Sequence, residues 1–210
     1  MKIKAIWILI PFLFVAITGC SDLANIADAD YYRISVSSTN DSYPIYYTAK
    51  SLNNENLTGY EVVPTLPGPS FTFASAPKEI TTASIILPQI TFNHMLVTYE
   101  VTQDTQGILG TWTPSRESLG VNIVIPAGTN TSSIAITDQN IASRTLAIEV
   151  FNKIGTVSAD LQAAGTYVFY PRLSTSLSLR AYVLLTGTDA RGEGASLSFS
   201  TTLYFAASSS

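Results

Sequence analysis

The chain is poor in the residues from which most chemistry is built. Its 210 residues include one cysteine, Cys20, and one histidine, His94. A single cysteine excludes an intramolecular disulfide, so stability rests on packing, and a chain of this length can bury enough apolar surface for that. A zinc-type centre needs several His or Cys ligands, which one of each cannot supply. Ser-His-Asp chemistry would depend on His94 alone, and the strand-turn-helix pattern Gly-x-Ser-x-Gly is absent. Charged residues make up only 12% of the chain, against about a quarter in an average soluble domain. No Lys/Arg-rich cluster occurs, which argues against nucleic acid as a partner, because such binding rests on neutralising phosphates. EF-hand loops, Gly-rich phosphate loops and dinucleotide fingerprints are missing too, and no cofactor is implied. No Pro/Gly/Ser-rich linker divides the chain, and no internal repeat is visible.

What the chain has is serine, threonine and apolar residues in alternation. Thr suits strands, whereas exposed helices usually carry Glu, Lys and Arg. The first residues differ. Lys2 and Lys4 open the chain, an apolar run covers residues 5–16 with one interruption at Pro11, and Ile17-Thr18-Gly19-Cys20 follows. A basic start, an apolar core and a small residue describe a secretory signal. The run is too short to span a bilayer, which takes about 20 apolar residues. The closing tetrad resembles the lipobox of bacterial lipoproteins. That resemblance implies cleavage after Gly19, a diacylglyceryl group on the sulfur of Cys20 and a membrane-anchored mature chain. Several acyl chains on one residue hold a protein far more firmly than a single chain does. Ser21 after Cys20 implies, by resemblance to enterobacterial sorting, the outer membrane of the bacterial envelope. Lys2 and Lys4 precede the cut, so nine bases face fifteen acids in the mature chain, a balance of 9 − 15 = −6.

Residues 1–19 are thus read as a signal peptide and 20–30 as lipidated cysteine and tether. Residues 31–206 are read as one antiparallel β-sandwich domain, with two small sandwiches as the alternative, and 207–210 as a tail. Strand signals recur along the domain. Residues 31–37 alternate and stop at Thr39-Asn40-Asp41. Residues 43–48 form a second run, 51–59 a loop, 64–69 an irregular Pro-rich stretch and 71–73 a brief strand. Residues 84–102 are long and apolar, broken near Pro88, with Met95, Val97, Tyr99 and Val101 on one face and Thr98, Glu100 and Thr102 on the other. Residues 107–120 read as a loop. Val121, Ile123 and Ile125 alternate up to a turn at residues 126–130, and Ile134 and Ile136 resume after it. Leu146, Ile148 and Val150 are assigned to a strand face, although the Ala and Leu content of residues 141–154 would also permit a helix. No sustained helical period is evident. Residues 167–170 read as a short strand. The end of the chain gives the clearest pattern. Leu177, Leu179, Ala181, Val183 and Leu185 share a face, residues 187–194 turn, and Leu197, Phe199, Thr201, Leu203 and Phe205 share a face again, as in a hairpin.

Two of these segments carry a family resemblance. Val121-Asn122-Ile123-Val124-Ile125-Pro126-Ala127-Gly128-Thr129-Asn130, continuing to Ile136, resembles the strand, Pro-Ala-Gly-Thr turn and strand of Calx-β and related immunoglobulin-like modules. Residues 180–205, through Gly187-Thr188-Asp189-Ala190-Arg191-Gly192, resemble the closing hairpin of immunoglobulin-like and fibronectin-type domains and the ending of many bacterial lipoproteins. The resemblance implies an all-β, immunoglobulin-like sandwich and is nearly silent on function. The acidic calcium ligands of a Calx-β module are not evident.

Candidate functional residues are few. His94 reads as a strand residue with one satisfied hydrogen bond. Asp189 and Glu193 share a turn in which Asp is explained by bonds to its own backbone. Glu61, Glu79, Glu100, Glu117 and Glu149 are scattered, so no catalytic pair is expected, and Glu100 and Glu149 are placed on polar strand faces. Neither an enzyme nor a metal protein is expected. Six of the eleven tyrosines, Tyr31, Tyr32, Tyr43, Tyr46, Tyr47 and Tyr60, fall in one short stretch. Tyrosine gives wide contact area with a polar tip and is favoured at interfaces. Tyr43, Tyr46 and Tyr47, around Pro44, are the candidate binding residues. Pro44 suggests an edge strand, because proline lacks a backbone donor. The expected function is a non-enzymatic, lipid-anchored protein-interaction or structural module, with a carbohydrate-binding or adhesive surface lipoprotein as the alternative.

Overall fold

Alternating apolar and hydroxyl-bearing residues give strands with one dry face, and such faces must be covered. The computed structural model describes residues 27–28, 32–38, 40, 42–53, 55–66, 68–79, 85–137 and 141–207. The signal sequence, Cys20 and Tyr31 lie outside the described residues. In chain order the elements are β1 (Ala27–Asp28), β2 (Tyr32–Ser38), β3 (Ser42–Ser51), β4 (Tyr60–Thr65), β5 (Phe71–Pro77), β6 (Ile86–Leu87), β7 (Ile90–Asp104) and β8 (Glu117–Ile125). They continue with β9 (Gly128–Thr129), β10 (Ser132–Ile136), α1 (Arg144–Ile154), β11 (Gly155–Leu161), β12 (Tyr167–Leu173), β13 (Leu177–Asp189) and β14 (Gly194–Ala207). One sheet has the order β4-β3-β14-β13-β7-β8 and another the order β1-β2-β5-β10, while β11-β12 and β6-β9 are two-stranded pairs. Pairing is antiparallel throughout the described strands except between β14 and β3, which run parallel. The all-β expectation holds.

The closing hairpin frames the core. Val183 pairs with Phe199, Leu185 with Leu197 and Leu179 with Leu203, and all six are buried. Its turn is closed by Asp189, whose Oδ1 accepts from the backbone N–H groups of Arg191 at 2.8 Å and Glu193 at 3.0 Å. On β7, Met95, Val97 and Tyr99 are buried while Thr98, Glu100 and Thr102 are exposed, as the alternation requires. Asn93 and His94 are both exposed, at a register shift against β13 between Thr186 and Gly187. Such a bulge brings two backbones close. A Cβ on Gly187 would stand 1.9 Å from the Thr91 carbonyl oxygen, so glycine is required there.

The inner face of the six-stranded sheet is covered by two different elements. Phe71 of β5 packs on Phe199 at 5.0 Å between ring centres, with Phe73 at 6.3 Å. Farther along the same face, α1 takes over from the four-stranded sheet. Tyr47 meets Phe151 at 4.9 Å and donates its hydroxyl to the Ala147 carbonyl at 2.7 Å. Tyr99 donates to the Ile141 carbonyl at 2.8 Å.

The helix corrects the strand assignment of residues 141–154. Leu146, Ala147, Val150, Phe151 and Ile154 are its buried residues, a spacing of 3.6 rather than 2. Ile148 is only half-buried and does not share a face with Leu146 and Val150. Ser143 caps the helix by accepting from the Leu146 N–H at 3.0 Å, a contact worth about 1 kcal/mol. Other boundaries shift as well. Residues 60–65 form a strand that ends in the Pro-rich stretch, which is possible because β4 is a sheet edge. Residues 117–120 belong to β8 rather than to a loop, and 155–161 pair with 167–173 as a hairpin. The strands on either side of the Pro126-Ala127-Gly128-Thr129-Asn130 turn do not pair with each other. Strand β8 lies in the six-stranded sheet and β10 in the four-stranded one, so the turn is an arch between sheets. Asn130, at φ 65°, fastens the arch: its N–H donates to the Ile85 carbonyl at 2.9 Å and its Oδ1 accepts from the Ile85 N–H at 3.1 Å.

Candidate binding surfaces

Strand parity divides the three candidate tyrosines. Tyr43, Ile45 and Tyr47 point inward and are buried, whereas Tyr46 is 40% exposed on the outer face. The Tyr43 hydroxyl is hydrogen-bonded to that of Ser38, and its ring meets Phe71 at 6.3 Å. Burial pushes the Tyr47 phenol well above its usual range. The folded domain therefore presents Tyr46 and keeps Tyr43 and Tyr47 for its core. Strand β3 is also not the edge that Pro44 suggested. It lies between β14, paired over residues 42–47, and β4, paired over 46–51. Among the described residues, its first part, Pro44 included, has no strand on the β4 side.

Tyr46 joins a broad, open face. Tyr204 on β14 lies beside it, and its hydrogen bond to Tyr46 raises the Tyr204 phenol above the ordinary value. Tyr182 on β13 is 41% exposed and donates to Glu100 Oε2 at 2.7 Å. That bond is the main reason its own phenol is raised. Beside Tyr182 is a shallow depression of about 340 Å³, walled by Leu96, Thr98, Leu184, Ser198 and Ser200. The face is poor in charge and rich in hydroxyls. His94 lies on it, and its Nε2 is hydrogen-bonded to the Ser118 hydroxyl at 2.8 Å.

A second concavity separates the edge strand β8 from α1. It measures about 320 Å³, and its lining includes Arg116, Glu117, Leu119, Ser143, Leu146 and Glu149. Two acids that look scattered in the sequence thus meet in one cleft. Each is held by the fold. Glu149 Oε1 accepts the indole N–H of Trp112 at 2.8 Å, and Lys153 Nζ lies 5.2 Å from the centre of that ring. Glu117 Oε1 accepts the Ser143 N–H at 3.3 Å. Its charge adds to burial in pushing the Tyr99 phenol up. Glu149 is therefore a helix residue that anchors a loop and not a polar strand residue, while Glu100 does occupy its expected polar face. The helix assignment was the missing signal, since Leu146 and Glu149, three residues apart, share a helix face and both line the cleft, whereas on a strand they would point to opposite faces.

Among the described residues, no three of His, Cys, Asp or Glu come together as a metal-binding group. Also among the described residues, no helix is long and apolar enough to cross a membrane. Comparison with protein-family models, with curated proteins and with solved structures gives no match.

Proposed function

We propose that this protein is a lipid-anchored module of the bacterial envelope, held by Cys20, that acts by binding an envelope protein and not by turnover. The strand order supports an immunoglobulin-like reading of the fold. Strands β2, β5 and β10 share one sheet, and β7, β8, β13 and β14 the other. The chain crosses between the sheets from β2 to β3, from β4 to β5, from β5 to β7, from β8 to β10 and from β10 to β13, and the last three crossings follow a Greek-key sandwich. On that plan β4 and the α1–β11–β12 segment are insertions. The observation that carries the binding reading is the cleft beside β8, where a sheet edge with no further strand among the described residues adjoins a hollow that combines the apolar Leu119 and Leu146 with the charged Arg116, Glu117 and Glu149. Photo-crosslinkers placed at Ser118 on the edge and at Tyr182 on the open face, in native cells, test it. Discrete envelope-protein adducts at either position are expected, and none at both would end the reading. Anchoring is tested separately: Cys20→Ser should release the chain from membranes, and an unmodified Cys20 sulfur on mature protein by mass spectrometry would refute lipidation.

A carbohydrate ligand is the second reading, favoured by the outer face. There Tyr182, fixed by Glu100, offers a ring beside serine and threonine hydroxyls. Retardation by neutral polysaccharides that is lost in Tyr182→Ala would support it.

A further inference from the structure

The two long edges of the six-stranded sheet are protected unequally. Exposed edges invite a further strand, and natural sheets guard them with proline, charge or a covering element. Edge β4 has such guards. Pro64 removes a donor there, and Glu61 is tied to Arg144 of α1 at 2.8 Å. Edge β8 pairs with β7 alone among the described residues. Its stretch Ser118-Leu119-Gly120-Val121 contains no proline and no charge, and Ser118, Leu119 and Gly120 are exposed. The cleft opens beside this same stretch. Leu119 and Leu146 give it apolar walls, and Glu117 and Glu149 outnumber Arg116 among its charged lining residues.

We propose that β8 is the docking edge for an extended segment of an envelope partner, which adds a strand along residues 118–121 and lays a lysine or arginine side chain in the cleft between β8 and α1. This rests on the protein-binding reading above and names its site and partner chemistry. Strand addition supplies main-chain hydrogen bonds, and a pocket for an alternate side chain supplies selectivity. A long basic side chain fits such a hollow because its methylenes cover Leu119 and Leu146 while its head reaches the glutamates. The acidic balance of the chain also favours a basic partner. A second copy fits poorly: it carries the same negative charge, and its own stretch at 118–121 offers no basic side chain.

The probe is a threonine-rich extended peptide of about ten residues, enough for one added strand, with a single central lysine. A control peptide has glutamate in place of the lysine. Both are titrated onto the full chain in detergent, with amide hydrogen exchange read at residues 118–121. The lysine probe is expected to bind at least tenfold more tightly than the glutamate probe, and to slow exchange on β8 but not on β4. Glu149→Gln, which keeps an acceptor for Trp112, should shrink the preference severalfold. Leu119→Lys, at a residue already 36% exposed, should abolish it. Equal binding of the two probes, no binding of either, or protection confined to another strand would overturn the inference, as would a β8–β8 crosslinked dimer. Crosslinking at Tyr182 without crosslinking at Ser118 would remove this site and leave the binding-module reading standing.

Discussion

Truncating Phe199 to alanine removes the side chain at the centre of the contact between the two large sheets. The residue is 3% exposed, meets Phe71 at 5.0 Å in a tilted contact and Phe73 at 6.3 Å edge-on, and stands opposite Val183. Neighbours on two sheets cannot easily collapse into the space, because each is pinned by its own ladder. Phe→Ala in such a site costs about 3–5 kcal/mol, and the lost ring pairs place this one toward the upper end. A domain held by about 5–15 kcal/mol loses a large part of its stability. At about 2–4 °C per kcal/mol for a domain of this size, the midpoint should fall by about 6–20 °C. Thermal and denaturant unfolding of the full chain measure both quantities. Ser198→Ala is the control: it is the neighbouring residue on the exposed face and should stay within about 0.5 kcal/mol of the parent. Similar losses for both variants would mean that the faces of β14 are reversed and that the alternation argument fails.

Gly187→Ala should destabilise by about 2–4 kcal/mol, because the new methyl meets the Thr91 carbonyl at 1.9 Å; Gly194→Ala, with nothing within 4 Å, should change little in the same denaturant titration. Ser75→Ala should leave the melting temperature unchanged or raise it. Among the described residues, the buried Ser75 hydroxyl has no hydrogen-bond partner, a state that costs about 1–3 kcal/mol, and a clear drop in melting temperature would show that the hydroxyl has a partner.

The strands were legible wherever one face is dry and the other is wet. Residues 177–205 alternate so regularly that the faces of both strands could be read residue by residue, and β7 is nearly as clear. Legibility fails where alternation and helical period coincide. Leu146 and Val150 satisfy both, since four residues span two strand periods and about one helical turn. What decides for the helix is spread over distant residues: the Ser143 cap, the Phe151 contact with Tyr47 and the carbonyls that take the Tyr47 and Tyr99 hydroxyls. The arch at residues 126–130 was misleading for a related reason. Its turn chemistry says that the chain reverses, but which sheet receives β10 depends on Phe71 and Phe73 of β5, a long way off in sequence. The cleft followed from both features and so was invisible before them. Edge status likewise depends on the whole sheet, which is why Pro44 marks only the uncovered start of β3, while β4 covers residues 46–51 and the edges of the sheet are β4 and β8.

The tyrosines were closer to legible than the grouping of Tyr43, Tyr46 and Tyr47 suggests. In a strand, positions separated by three residues lie on opposite faces, so parity alone separates Tyr46 from Tyr43. The burial of Tyr47, and of Tyr99 on β7, has a consequence in alkali. Burial raises the Tyr47 and Tyr99 phenols well above the ordinary value of about 10 that they would have unfolded. Each hydroxyl donates its proton to a carbonyl of the segment that covers the sheet, Ala147 for Tyr47 and Ile141 for Tyr99. The sign follows from proton counts. Above about pH 10 the unfolded chain gives up these protons while the folded chain keeps them, so the unfolded state binds fewer and stability falls as pH rises. Below about pH 10 the contribution is fully present. The midpoint in denaturant should therefore stay level through neutral pH and drop beyond about pH 10. Phenolate absorbance should show a fraction, Tyr47 and Tyr99, that titrates only together with unfolding. Tyr47→Phe should titrate with one fewer late phenol while losing the bond that holds α1 to the sheet. Free titration of every tyrosine in a chain that stays folded would refute the burial of both hydroxyls.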